Sequence, residues 1–240
     1  MTTATNYIAI IGALDAEIEE YKHHITEIEQ VAWHEFVFYT GLWHGKKVVL
    51  VKSGVGKVFA AMITQKVIDT YQPECILFTG VAGGLNTSYE VGDVIIARDC
   101  IQHDMDATEL GFSRGTIPYT KYRFFESDAA LKKLALATPM EHTLHEGRIV
   151  TGDQFLTKKE LLAFDYLTKE LGGDAVEMEG AAVGQVCTVN QVPFLIIRTI
   201  SDKADENATL SFTEFLPTVA KNSFHVVSHV LKLKAILNTI

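Results

Sequence analysis

CILFTGVAGG (Cys75–Gly84) is the stretch on which the fold turns. Cys75–Thr79 reads as a compact buried strand that runs straight into a glycine-rich turn at Gly80–Gly84, where bare backbone can approach a ligand closely. The run is neither a P-loop nor a GxGxxG fingerprint, so it implies no dinucleotide, and a plain tight turn is an equal reading. The same alternation of strand and turn repeats on both sides. Upstream, Tyr7–Ile11 is an apolar run stopped by Gly12, with a helix expected from Asp15. Phe36–Leu42 and Lys47–Val51 are β-rich and separated by His44-Gly45, which suits a hairpin. Val55–Thr70 places Val55, Phe59, Met62, Ile63, Val67 and Ile68 on one helical face between Gly54 and Pro73.

Downstream, Asp93–Ile101 is a long β-branched run, Arg148–Thr151 leads into Gly152-Asp153, and Asp174–Val176 precedes a helix over about Met178–Val189. Phe194–Ile200 is the most apolar strand of all. Ser211–Ile236 is amphipathic, with Ser211 as N-cap, Glu214 completing a capping box, and Pro217 placed to kink or restart the helix. Strands bounded by glycines and alternating with helices predict an α/β fold: a single-domain three-layer sandwich over residues 1–240, with a mixed central β-sheet flanked by helices. In such folds the ligand lies beyond the carboxyl ends of the strands. Gly111–Tyr122 reads as a long exposed loop, a length that in compact domains goes with function.

At 240 residues and 48% hydrophobic content the chain can bury a large core. A net charge of −9 without a Lys/Arg cluster argues against nucleic acid as a partner. No apolar run approaches the roughly 20 residues that cross a bilayer. Met1–Asn6 lacks the basic-then-apolar pattern of a signal peptide, so the expectation is a cytoplasmic protein with no membrane partner. Cys75, Cys100 and Cys187 are far apart in apolar stretches and read as buried small hydrophobes. His23 and His24 are adjacent and the other histidines scattered, without metal-binding spacing, so neither metal nor cofactor is expected.

Four places join an apolar strand to an abrupt polar or glycine-rich end. IIGALDAEI (Ile10–Ile18) delivers Glu17 to the first turn of a helix, where the dipole favours a carboxylate whether it caps the helix or works. The glycine run around Val81, Ala82 and Gly83 is the second. VEMEG (Val176–Gly180) spaces Glu177 and Glu179 by two around Met178; in extended geometry both carboxylates project to one side, where they can accept ribose hydroxyls, though a solvated acidic helix start fits equally. FLIIRTISDKAD (Phe194–Asp205) sets Arg198 inside a buried strand and Ser201 and Asp202 at its exit. A charge there is either structurally paired or functional.

Together these segments resemble the 5'-methylthioadenosine/S-adenosylhomocysteine nucleosidases of the purine nucleoside phosphorylase-like superfamily. The likeness runs from about Ile8 to near the C-terminus and also takes in SGVGK (Ser53–Lys57), VGD (Val91–Asp93), HDMDAT (His103–Thr108) and TGDQF (Thr151–Phe155). It implies hydrolysis of an N-glycosidic bond with release of adenine. Glu17 would be the general base for the attacking water, Arg198 would help hold that water, and Glu179 would bind the ribose hydroxyls with Glu177 nearby and Met178 beside the sugar. Asp202, supported by Ser201, would protonate or hydrogen-bond N7 of the leaving adenine. Phe155 and Leu156 would stack on the base and read its Watson–Crick edge through backbone groups, and Phe212 would also face the base. The loop carrying Leu110, Phe112 and Pro118 would complete the alkylthio pocket of a neighbouring subunit, implying a homodimer. Val81 stands where many relatives carry serine, Leu14 where methionine is common, and Gly180 where alanine is common. Three rivals stay open: the same chemistry on aminodeoxyfutalosine, a phosphate-dependent phosphorylase, and a non-catalytic nucleoside-binding protein. The last would be expected to have lost Glu17 or Asp202. A phosphorylase needs arginines where Gly12–Glu17 places carboxylates.

Overall fold

A computed structural model of the chain describes residues 7–203 and 208–237, with side chains for all of these except 158, 208–219 and 236–237. In chain order the elements are β1 (Ile8–Gly12), α1 (Asp15–Lys22), β2 (Thr26–Trp33), β3 (Phe36–Trp43), β4 (Lys46–Lys52), α2 (Lys57–Tyr71), β5 (Cys75–Gly84), β6 (Val94–Gln102), β7 (Phe125–Glu126), α3 (Ala129–Leu136), β8 (Leu144–Thr151), α4 (Lys158–Ala163), α5 (Tyr166–Lys169), β9 (Ala175–Glu177), α6 (Gly180–Asn190), β10 (Phe194–Asp202) and α7 (Ala208–Leu237).

Apolar strands buried on both faces can only sit at the centre of a covered sheet. β1 and β10 are buried along their whole length, and β5 at all but one position. The sheet is mixed and runs β10-β6-β8-β9-β5-β1-β4-β3-β2, and β10 also pairs in parallel with β5. That extra pairing closes β5, β10, β6, β8 and β9 into a ring, from which β1, β4, β3 and β2 extend as an open wing. α2 and α6 pack into one core with Ala60, Ile63, Val67, Ala181, Val183 and Cys187. α1, α3 and α7 cover the opposite face with Ile18, Tyr21, Leu131, Phe224, Val227 and Leu231. The result is the expected three-layer α/β arrangement, and all three cysteines are buried and unpaired, as expected.

The glycine run departs from expectation. Gly80–Gly84 is not a turn but the second half of β5, paired with β10 as far as Gly83 and with β9 at Gly83 and Gly84. Backbone ladders on both edges supply the hydrogen bonds that a turn would have had to find locally. The expected hairpin is present, with His44 and Gly45 both at positive φ (50° and 73°), as its tight turn demands. α7 begins at Ala208, so Ser211 lies inside the helix and does not cap it; Ala and Leu at 208 and 210 are good helix formers and extend it upstream. It continues unbroken through Pro217. β2, β7, α3, α4 and α5 were not anticipated.

Candidate active site

The ends of β1, β4, β5, β8, β9 and β10 open toward one cleft. Ala13, Leu14 and Glu17 follow β1, Val55 follows β4, and Val81, Ala82 and Gly83 belong to the end of β5. Phe155 follows β8, Val176, Glu177, Met178 and Glu179 come from β9 and its exit, and Ser201 and Asp202 end β10. Leu156 follows Phe155 and buries its side chain in a separate cluster with Ile101, Val150, Leu167 and Leu171, which bears on its packing and not on the backbone contact expected of it. The side chain of Phe212 lies outside the described residues. Leu110, Phe112 and Pro118 do not line the cleft of this chain; Leu110 is largely exposed and Phe112 stands edge-on to Tyr119.

Glu17 folds back over the start of α1. Its Oε2 accepts from Ala13 N (2.7 Å) and Leu14 N (2.9 Å), which satisfies amides that a helix start leaves open. Its Oε1 accepts from Val81 N at 3.1 Å, 64 residues away. Cap and cleft carboxylate are therefore the same group. Burial raises its pKa, outweighing the Arg198 charge and the three N–H bonds that pull the other way.

Arg198 is 1% exposed and lies over the Phe78 ring at 4.2 Å. Its Nη2 donates to Glu177 Oε2 at 2.5 Å and lies 3.7 Å from Glu179 Oε2. Burial works against its charge, but Glu177, Glu17 and Glu179 more than offset this and its pKa is raised. Nη1 is buried and has no hydrogen-bond partner among the described residues. Nη1 and Glu17 Oε1 each lie 2.6 Å from where a Cβ on Gly80 would stand, so the two groups converge over a bare backbone. A donor without an acceptor beside a carboxylate of raised pKa is an arrangement that can grip and deprotonate a water.

Glu177 and Glu179 both reach Arg198, but not through the extended alternation read from the sequence. β9 stops at Glu177, and Glu179 is the N-cap of α6. Glu177 borders the cleft with its carboxylate already occupied: Oε2 accepts from Glu179 N, Gly180 N and Arg198, and Oε1 accepts from Thr151 Oγ1. Glu179 is less engaged, accepting from Gly56 N at 2.7 Å. Burial, and then the Glu177 charge, push its pKa up to about 8. Ser201 donates to Asp202 Oδ2 at 2.8 Å, and Asp202 is 2% exposed. Two participants had no role in the sequence reading. Thr151 is fully buried and also accepts from Ala181 N; Gly56, at φ 94°, turns its N–H onto Glu179. SGVGK and TGDQF were visible as motifs, but their contacts are long-range.

A family model of the phosphorylase superfamily matches residues 7–232. The 5'-methylthioadenosine/S-adenosylhomocysteine nucleosidase of an Exiguobacterium species is 38% identical over 228 residues, covering 94% of this chain and 97% of the relative. The chain belongs to the phosphorylase superfamily, among its 5'-methylthioadenosine/S-adenosylhomocysteine nucleosidases. The nucleosidase of Neisseria meningitidis in complex with methylthio-immucillin-A superposes with a TM-score of 0.90 at 38% identity, covering 95% of this chain and 99% of that one. The futalosine hydrolase of Helicobacter pylori superposes with a TM-score of 0.87 at 33% identity, covering 98% and 99%.

Proposed function

We propose that the chain, as a single nucleoside-hydrolase domain, hydrolyses the N-glycosidic bond of 5'-methylthioadenosine and S-adenosylhomocysteine, releasing adenine and the thioribose. The observation that carries this reading is the convergence of Glu17 Oε1 and Arg198 Nη1 over Gly80, beside a cleft that also holds Glu179 and Asp202. Glycosidic cleavage passes through an oxocarbenium-like transition state, which calls for negative charge near the sugar and a proton for the departing base. In this reading Glu179 accepts the ribose hydroxyls and stabilises the cationic sugar, with Met178 beside it. Asp202, steadied by Ser201, delivers a proton toward N7 as the C–N bond breaks and its electrons pass to adenine. Phe155 stacks on the base. Water held by Arg198 attacks the anomeric carbon and gives its proton to Glu17, whose raised pKa brings it toward the range where a general base is most effective. Glu177, saturated by its own contacts, positions Arg198.

Hydrolysis is favoured over phosphorolysis by charge. Glu17, Glu177, Glu179 and Asp202 line the cleft, and the cation beside it, Arg198, is already paired with Glu177 and lies 3.7 Å from Glu179, so four carboxylates face any incoming phosphate. Likeness to the H. pylori futalosine hydrolase supports aminodeoxyfutalosine as a second substrate on the same machinery. The expected assembly is a homodimer that brings Leu110, Phe112 and Pro118 of one copy to the cleft of the other. Val58 (78% exposed) and Val189 (54%) give the outer faces of α2 and α6 an apolar surface suited to such a contact. A cytoplasmic role in methionine salvage completes the reading; no helix among the described residues is long and apolar enough to cross a membrane.

The test is adenine release from methylthioadenosine with and without phosphate, by wild type and Glu17→Gln. Phosphate-independent release that falls by about 10²-fold or more in the variant is expected, the scale of a lost general base. Strict dependence on phosphate would make the chain a phosphorylase; no release from any of the three nucleosides would leave a binding protein.

A further inference from the structure

Three motifs, SGVGK, HDMDAT and TGDQF, meet at one side chain whose role is so far unassigned. Lys57 Nζ lies 2.6 Å from Asp104 Oδ1, 3.3 Å from Gln102 Oε1 and 3.8 Å from Asp153 Oδ2. The backbone N of Lys57 donates to Asp153 Oδ1 at 2.8 Å, and the N of Asp153 donates to Asp104 Oδ2 at 3.0 Å. The exits of β4, β6 and β8 are thus tied into one knot.

Lysine is poorly suited to its own position. It is the first residue of α2, where the helix dipole disfavours positive charge, and the N-cap Gly56 has no side chain to cap the helix. Asp153 takes over as cap from another strand, and Asp104 neutralises the ammonium. The residue immediately before Lys57 carries the N–H that holds Glu179 at 2.7 Å, and Phe155 follows Asp153 by two. Gly56 holds this N–H on Glu179 from φ 94°, a conformation open to glycine.

We propose that Lys57 is a positioning residue: its ties to Asp104 and Asp153 lock the Gly56 peptide in place and thereby set the orientation of Glu179 toward the substrate. The proposal rests on the functional reading above only for its kinetic arm. Groups facing Glu179 besides the Gly56 N–H are Glu177, Arg198 and Glu17.

The experiment uses the full chain. Lys57→Met is expected to lower kcat for adenine release from methylthioadenosine about 10–100-fold, with KM within about threefold, as for a group displaced by about an ångström. Tm and oligomeric state should not change, and Lys57→Arg should recover most of kcat. In parallel, the Glu179 carboxyl is titrated by carbon-13 NMR in wild type, Lys57→Met and Asp153→Ala, its resonance assigned with Glu179→Gln. Releasing the Gly56 N–H raises the Glu179 midpoint in both variants. Asp153→Ala separates this from simple charge, because removing an anion would by itself lower that midpoint. A midpoint that stays or falls in Asp153→Ala, a loss shared by Lys57→Arg, or a loss that tracks Tm or dissociation overturns the proposal. If wild type releases no adenine, the functional reading fails and the titration alone decides the role of Lys57.

Discussion

Gly80 has no side chain because Glu17 and Arg198 occupy the space. A methyl group would meet Arg198 Nη1 and Glu17 Oε1 at 2.6 Å and Glu17 Cδ at 3.0 Å. Each neighbour is the end of a flexible side chain, so the fold can absorb an alanine by moving the two groups the chemistry needs. Gly80→Ala is therefore expected to lower kcat/KM by about 10²-fold while shifting Tm by only a few degrees. Steady-state kinetics beside calorimetry checks this, and wild-type turnover in the variant would separate Gly80 from water activation. At this scale the sequence named residues better than roles. Glu17 stood out by its place after a strand, but cap and base were indistinguishable until Val81 N, far along the chain, was seen on its second oxygen. Glu177 read as a partner of the sugar because a two-residue spacing suggests a shared side. The strand ends beneath it, and Thr151, Arg198 and two backbone amides claim its oxygens instead.

At the level of elements, α7 is held by its middle. Phe224 stacks on Trp43 (5.5 Å, 15°) and meets Tyr21 edge-on (5.1 Å, 80°), joining α7 to α1 and the end of β3. The residue before Phe224, Ser223, donates to Gly80 O and pairs with Thr199, so the helix also reaches the strands of the site. Phe224→Ala is expected to destabilise the chain by about 3–5 kcal/mol, the range for emptying a packed aromatic site. Urea unfolding should show the midpoint falling at unchanged slope; a change under about 1 kcal/mol would mean the site collapses around the loss. Elements that bury apolar residues on a clear period were legible, including β1, β10, α2 and the hairpin. β2 was not, because its residues are nearly all exposed and its sequence, with Glu27, Glu29 and Gln30, carries no apolar alternation. The glycines of β5 read as a turn because propensity is local, whereas the ladders that extend them come from β9 and β10.

For the molecule as a whole, buried acids make stability depend on pH in an unusual sense. Glu179 has an ordinary carboxyl pKa of 4.5 when unfolded and about 8 when folded. The folded chain thus binds its proton more tightly. The contribution is fully present below pH 4.5 and is lost as pH rises toward about 8; Glu17, also raised, acts in the same direction. Glutamine cannot ionise, so Glu179→Gln is expected to gain Tm relative to wild type between pH 5 and pH 8. Calorimetry at the two pH values decides it, since a constant difference would mean that Glu179 does not titrate in this window.

The closed ring of five strands and the open wing divide the site between them. Arg198, Glu179 and Asp202 stand on the ring or at its exits, whereas Glu17 hangs from β1, which joins the ring only through residues 8–11 and 75–78 along one edge of β5. A ring has no free edge to fray, but a wing can peel. In native-state hydrogen exchange the amides of β1, β2, β3 and β4 should therefore open in a partial unfolding step of lower energy than those of β5 and β10. A molecule caught in that step would keep the groups that recognise the base and lose the one that activates water, so catalysis would report on the integrity of the seam along β5 before any other property did.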